Sequence, residues 1–217
     1  MLISLLNVAG VAFSQPQNDY SMQFKINMEK KISRSFSTSV YYQNSFNQNA
    51  TEMYYNFIDA GIEYKLNRNF TMDARYRFVK IRNRDNFYDD RNLIYTDIMY
   101  AKGFGRFGLL ARARFQRQFY GGMNNENPVS YRDYNRTKLQ LKYRINYYWS
   151  PYVSLEAYYP FNHPVRKTID QWRQTAGVFY TINEQIKIEA YYQLQQLTNR
   201  KNKNHTYVTA LNFYYKF

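Results

Sequence analysis

The sequence predicts an all-β fold, an antiparallel up-and-down transmembrane β-barrel of ten to twelve strands with short periplasmic turns and longer extracellular loops. Three observations predict it. Apolar residues recur at every second position along nearly the whole chain, connections alternate between short and long, and the last residues form an aromatic-rich strand ending on Phe217. The composition agrees. Of 217 residues, 25 are Tyr, 16 Phe and 2 Trp, while mean hydropathy is −0.72 and Cys is absent. Aromatic residues favour pleated, half-buried surfaces. No apolar run of about 18 residues exists, so no helix spans a bilayer. A chain without Cys has neither a disulfide framework nor a thiolate metal site.

Residues 1–14 read as a signal peptide. Met1 to Phe13 is mostly apolar, and Ala12 and Ser14 are small residues two apart, the pattern a signal peptidase reads, with cleavage expected after Ser14. The Lys or Arg that ordinarily precedes such a core is missing from the first ten residues. The barrel is then assigned to residues 15–217.

In the first segment Tyr20, Met22, Phe24, Ile26 and Met28 alternate with Ser21, Gln23, Lys25, Asn27 and Glu29, which puts the two sets on opposite faces of a strand. The same pattern gives apolar faces Phe36/Thr38/Val40/Tyr42, Ile58/Ala60/Ile62/Tyr64, Phe70/Met72/Ala74/Tyr76/Phe78 and Ile94/Thr96/Ile98/Tyr100. Past Gly103, Phe104 and Gly105 the parity flips, giving Phe107/Leu109/Ala111/Ala113/Phe115, Leu139/Leu141/Tyr143/Ile145/Tyr147 and Val153/Leu155/Ala157/Tyr159. Trp172/Ala176/Val178/Tyr180, Ile186/Ile188/Ala190/Tyr192/Leu194 and Tyr207/Leu211/Phe213/Tyr215/Phe217 close the series. Short connections fall at 31–34, 66–69, 103–106, 148–151 and 182–185. Longer polar ones fall at 44–52, 83–92, 121–136, 162–168 and 198–204. Tyr recurs near the ends of the apolar faces, where an amphipathic ring suits a membrane interface. Ten connections make eleven segments, whereas single-chain bacterial barrels have even numbers. Either another segment lies in a long connection such as 121–136, or one of the eleven is not a wall strand.

The opposite faces carry twelve basic residues against seven acidic ones, an expected lumen surplus of five positive charges. Buried charges cost several kcal/mol per ion unless paired, so a lumen plugged by salt bridges is expected, with Glu63 and Lys65 pairing across a hairpin with Asp73, Arg75 and Arg77. The functional candidates are the basic lumen residues Arg75, Arg77, Arg112, Arg114, Lys142, Arg144 and Arg173. Arg112, Arg114, Lys142, Arg144 and Arg173 are expected to lack partners and to line a narrow anion-preferring pore or an acidic-ligand site.

Basic residues are also assigned to the long connections, among them Arg82, Arg91, Arg132, Arg136 and Arg166, and suit lipopolysaccharide phosphates. The net charge of +14 is spread over many strands rather than gathered on one face, which argues against nucleic acid. No cofactor or metal is expected, because His163 and His205 have no second His or Cys at ligand spacing. The best catalytic set is Ser154 and Glu156 with His163 beyond the strand end, a chance-level triplet. The alternatives are therefore a small outer-membrane enzyme acting on lipid or peptide and a soluble exported ligand-binding barrel.

The exported leader, the hairpins of the type at 24–42 and 64–77, the turn Tyr64, Lys65, Leu66 and Asn67, the Arg-rich run Ala74 to Arg77 and the closing residues 212–217 together resemble the uncharacterised bacterial outer-membrane barrels catalogued as domain of unknown function 2490. The resemblance covers nearly all of the mature chain. It implies a porin-like barrel in the outer membrane of a Gram-negative bacterium and brings no established activity. Phe213, Tyr215 and Phe217 resemble the C-terminal signal read by the barrel-assembly machinery. The expected partners are that machinery, the lipid bilayer and lipopolysaccharide, and the expected state is a monomer.

Overall fold

The structure is a computed structural model that describes residues 19–82, 87–120, 131–162, 168–198 and 205–217. The proposed signal peptide and His163 lie outside the described residues. Eleven strands form the wall: β1 (Asp19–Lys31), β2 (Phe36–Asn47), β3 (Glu52–Lys65), β4 (Phe70–Arg82), β5 (Tyr88–Phe104), β6 (Phe107–Tyr120), β7 (Tyr131–Tyr143), β8 (Trp149–Pro160), β9 (Gln171–Thr181), β10 (Ile186–Leu197) and β11 (His205–Lys216). Neighbours in sequence pair antiparallel, and β1 pairs parallel with β11 to close the barrel. Closure leaves no unpaired strand edge, the condition for placing strands in hydrocarbon.

The odd strand count follows from that seam. All eleven segments are wall strands, and no further strand is needed because β1 starts at the long-connection end and runs alongside β11, from Asp19 opposite Thr206 to Glu29 opposite Lys216. Asp19 accepts a hydrogen bond from the Gln48 N–H at that end, and the Phe217 N–H donates to the Glu29 carbonyl at the other. Four sequence expectations are corrected here. The short connection expected at 148–151 falls at 144–148, so Ile145 and Tyr147 are turn residues rather than part of a strand face. β2 and β3 are joined by residues 48–51 alone, so this connection is a tight turn. Arg91, Arg132 and Arg136, read as loop residues, lie within β5 and β7, and Arg82 is the last residue of β4. His205 opens β11 rather than sitting in a loop.

Four of the turns at the other end share one solution. Ser33 Oγ and the Oδ1 atoms of Asn67, Asn146 and Asn183 each accept backbone N–H bonds from residues two and three ahead, at 2.7–3.3 Å. Short polar side chains can mimic a backbone turn in this way. The fifth turn instead uses Gly105 at φ +62°, a conformation that costs a glycine nothing.

Beyond four of the five turns an aromatic ring faces outward beside one on the next strand. Phe36 and Tyr64 lie 4.7 Å apart, Phe70 and Tyr100 5.0 Å, Phe107 and Tyr143 5.0 Å, and Trp149 and Tyr180 4.6 Å, with Tyr215 and Phe217 4.7 Å apart near the seam. These rings form a girdle of the kind that marks a membrane interface. Above it the outward face is apolar and exposed, for example Ile26, Ile58, Ile62, Ile94, Leu139 and Val153. A soluble barrel does not expose a continuous band of this kind. Outward charges occur nearer the long-connection end, where Lys80 meets Asp90 at 3.9 Å and Arg117 meets Asp133 at 2.7 Å.

Candidate functional site: a charged belt in the lumen

Strand register fixes what faces what inside the barrel. One row crosses β4 to β9 as Asp73, Asp97, Arg114, Arg136, Tyr158 and Gln171. A second crosses β5 to β10 as Met99, Arg112, Lys138, Glu156, Arg173 and Gln195. On the other side Asp59 stands opposite Arg77, and Gly61 opposite Arg75. Together these side chains make a belt about midway along the barrel.

Asp59, with no exposed surface, organises the β2–β5 side. Its carboxylate accepts from Arg75 Nε at 2.6 Å, Arg77 Nε at 2.7 Å and the Tyr95 hydroxyl at 2.6 Å. Arg75 also donates to Ser39 Oγ at 2.7 Å and lies 3.8 Å over the Tyr41 ring, while Arg77 lies 3.9 Å over Phe57. Above Asp59 the inner wall turns apolar, with Phe57, Val79 and Leu93 packed against Tyr41, Tyr55 and Ile81. The aliphatic stem of Arg75 passes across residue 61 because that residue has no side chain. A Cβ there would stand 2.5 Å from Arg75 Cγ and 2.8 Å from the Ala74 carbonyl oxygen. Gly61→Ala is therefore expected to destabilise the barrel by about 1–3 kcal/mol through overpacking, read as a shifted urea midpoint in lipid vesicles.

Next along the wall Arg114 grips Asp97 with two bonds of 2.6 Å, and the Asp97 N–H donates to Asp73. On the far side Glu156 takes both Arg112 at 2.5 Å and Arg136 at 3.0 Å. The Tyr158 ring sits between two guanidiniums, Arg136 at 4.3 Å and Arg173 at 4.5 Å. A further carboxylate, Glu189, accepts from Tyr152, Asn212 and Tyr214 at 2.5–2.6 Å. Lys25 hangs near it over Tyr214 and Tyr41.

The structure sorts the candidate residues into two groups. Arg75, Arg77, Arg112 and Arg114 all pair with carboxylates, so the expectation that Arg112 and Arg114 lack partners is corrected. Their acids, Asp97 and Glu156, come from the neighbouring strand and from two strands away. The acid that serves Arg75 and Arg77 is Asp59, not Glu63, because the 66–69 turn sets Glu63 opposite Asp73. Lys142 and Arg173 do lack a carboxylate at ion-pair distance among the described residues, as do Lys25, Lys138 and Lys187. Arg144 lies just past β7 in the turn, where its N–H donates to the Arg106 carbonyl. Of the candidate triplet, Ser154 faces inward, and Glu156 is engaged by two arginines.

Two lumen cavities meet at this belt. One of about 600 Å³ lies within it, lined by Lys25, Arg112, Lys138, Glu156, Tyr158 and Arg173 among others. The other, about 930 Å³, opens at the short-turn end and is lined by Arg106, Lys142, Arg144, Lys187 and Lys216 with Glu29 and Glu184. Asn27, Leu110, Gln140, Phe179 and Tyr214 line both, so the two adjoin.

Residues 21–206 match the family described as "protein of unknown function (DUF2490)". The chain belongs to this family. No curated protein matches. Among solved structures the DUF2490 chain is similar to the beta domain of the Bordetella autotransporter BrkA, with a TM-score of 0.57, 11% identity and 86% of each chain covered. It is also similar to the NanC porin, with a TM-score of 0.53 and 11% identity over 92% of this chain and 99% of that one. These likenesses show the fold, that of outer-membrane β-barrels.

Proposed function

We propose that this DUF2490 protein is an integral outer-membrane barrel of a Gram-negative bacterium whose lumen is a narrow passage preferring small anions. One observation carries the reading: the lumen cations left without a carboxylate form a track. Arg173, Lys138 and Lys25 stand at the belt, and Lys142 and Lys187 continue it into the cavity at the short-turn end. A pore lined by one sign of charge raises the local concentration of the opposite ion and rejects its own sign. The salt-bridged residues of the belt narrow the passage without cancelling that surplus. Proteoliposome uptake tests it. Small anions are expected to enter faster than cations of equal size, and equal rates, or no uptake at all, contradict the reading.

Assembly and surroundings complete the proposal. The barrel is inserted as a monomer by the barrel-assembly machinery, which reads Phe213, Tyr215 and Phe217, and its outer rim meets lipopolysaccharide. Deleting Phe217 is expected to slow insertion several-fold in a reconstituted assembly assay. An unchanged rate would remove the signal role and leave Phe217 as a girdle residue.

A further inference from the structure

The β6–β9 wall of the belt is short of acceptors. Across these four adjacent strands stand Arg112, Arg136, Lys138 and Arg173, and the carboxylate set among them is Glu156, already shared by Arg112 and Arg136. Arg114 is closed off by Asp97. Three buried donor atoms here have no hydrogen-bond partner among the described residues, the Nε atoms of Arg112 and Arg173 and the Tyr158 hydroxyl. All of these side chains line the 600 Å³ cavity. Buried donors in folded proteins are nearly always satisfied, by protein, water or ligand. The β2–β5 side shows no such shortage, since Asp59 takes three donors and Ser39 a fourth.

From this asymmetry we infer that the β6–β9 wall is a binding site for a doubly charged oxyanion, the phosphate monoester class. The chemistry matches on two counts. The four cations exceed Glu156 by three charges, so a dianion offsets the excess better than a monocarboxylate does. A phosphate also presents three terminal oxygens, enough acceptors for Lys138, Arg173 and the second face of Arg112 together. Arginine's planar fork and lysine's compact ammonium are the side chains that bind phosphate oxygens. The Arg136, Tyr158 and Arg173 stack holds the wall in place, so the site is preformed rather than assembled on binding. This inference deepens the passage reading by naming the solute class and rests on its accessible lumen.

The test is isothermal titration of the detergent-folded full barrel with inorganic phosphate and, separately, with acetate. Lys138→Gln and Arg173→Gln are compared with Lys80→Gln, whose side chain points outward. Lys138 has no ion pair to break among the described residues, and heat-modifiable mobility on a gel confirms that each variant is folded. Phosphate is expected to bind at least tenfold more tightly than acetate. Each lumen variant is expected to lose about tenfold of that affinity, with Lys80→Gln unchanged. Equal affinity for the two anions, or phosphate binding indifferent to both lumen substitutions, would overturn the site. The two proposals fail separately: anion flux without phosphate binding removes the site and leaves the passage, and binding without flux removes the passage and leaves the site.

Discussion

Replacing Asp59 by Ala is expected to destabilise the folded barrel by about 3–5 kcal/mol, the usual cost of stranding a buried charge by removing its partner. The estimate belongs at the upper end because one carboxylate serves two guanidiniums and a buried hydroxyl. Arg75 and Arg77 would then face each other without a counter-charge, beside the apolar Phe57, Val79 and Leu93 cluster that cannot solvate them. Asp59→Asn keeps the shape and an acceptor but no charge, and falls between wild type and Ala. Urea titration in lipid vesicles, followed by Trp fluorescence, measures both. A loss below about 1 kcal/mol for the Ala variant would mean that water in the lumen already solvates the guanidiniums and that the belt is not a structural plug.

Lys138→Glu carries the largest functional effect. Lys138 stands between Arg112 and Glu156 in register and makes no ion pair among the described residues, so reversing it changes the passage without breaking a bridge. Two unit charges of altered field at about 4–8 Å amount to about 1–2 kcal/mol in a water-filled passage with a dielectric near 80, or roughly a 5- to 30-fold change in an ion's partition. The anion-over-cation preference is expected to fall by that factor. Arg112→Glu is the poorer probe. It abandons Glu156 as well as reversing a charge, so lost folding and lost selectivity arrive together.

Much of the wall was legible because a strand's side-chain period of two leaves little freedom. Once Tyr20, Met22 and Phe24 face lipid, Lys25 must face the lumen. The turns at 66–69 and 182–185 were legible for the same local reason, since Asn67 and Asn183 each close a hairpin with their own side chain, whereas the one expected at 148–151 lies at 144–148, where Asn146 closes it. Register within a hairpin was also available. The 66–69 turn alone puts residue 59 opposite 77, and counting back from it would have named Asp59 in place of Glu63. What stayed hidden depends on distance across the barrel. The reach of Arg112 to Glu156, two strands away, needs the curvature of the closed wall, and no periodicity encodes it. The parallel seam was hidden differently. Strand counting assumes that the first and last wall strands have their outer ends on one side, and here Asp19 and Phe217 lie at opposite ends of the barrel. Arg136 was assigned to a loop because Arg132, Asp133 and Arg136 mask the start of β7 with polar residues, although Arg136 has the inward parity of Lys138.

The central claim, that unpaired lumen cations set the preference of an open passage, is tested most directly by the reversal potential of the wild-type barrel in a planar bilayer under a potassium chloride gradient. The account predicts current steps whose reversal potential has the sign of chloride permeation. A reversal potential with the sign of potassium, or a folded and inserted barrel that passes no current, would contradict it.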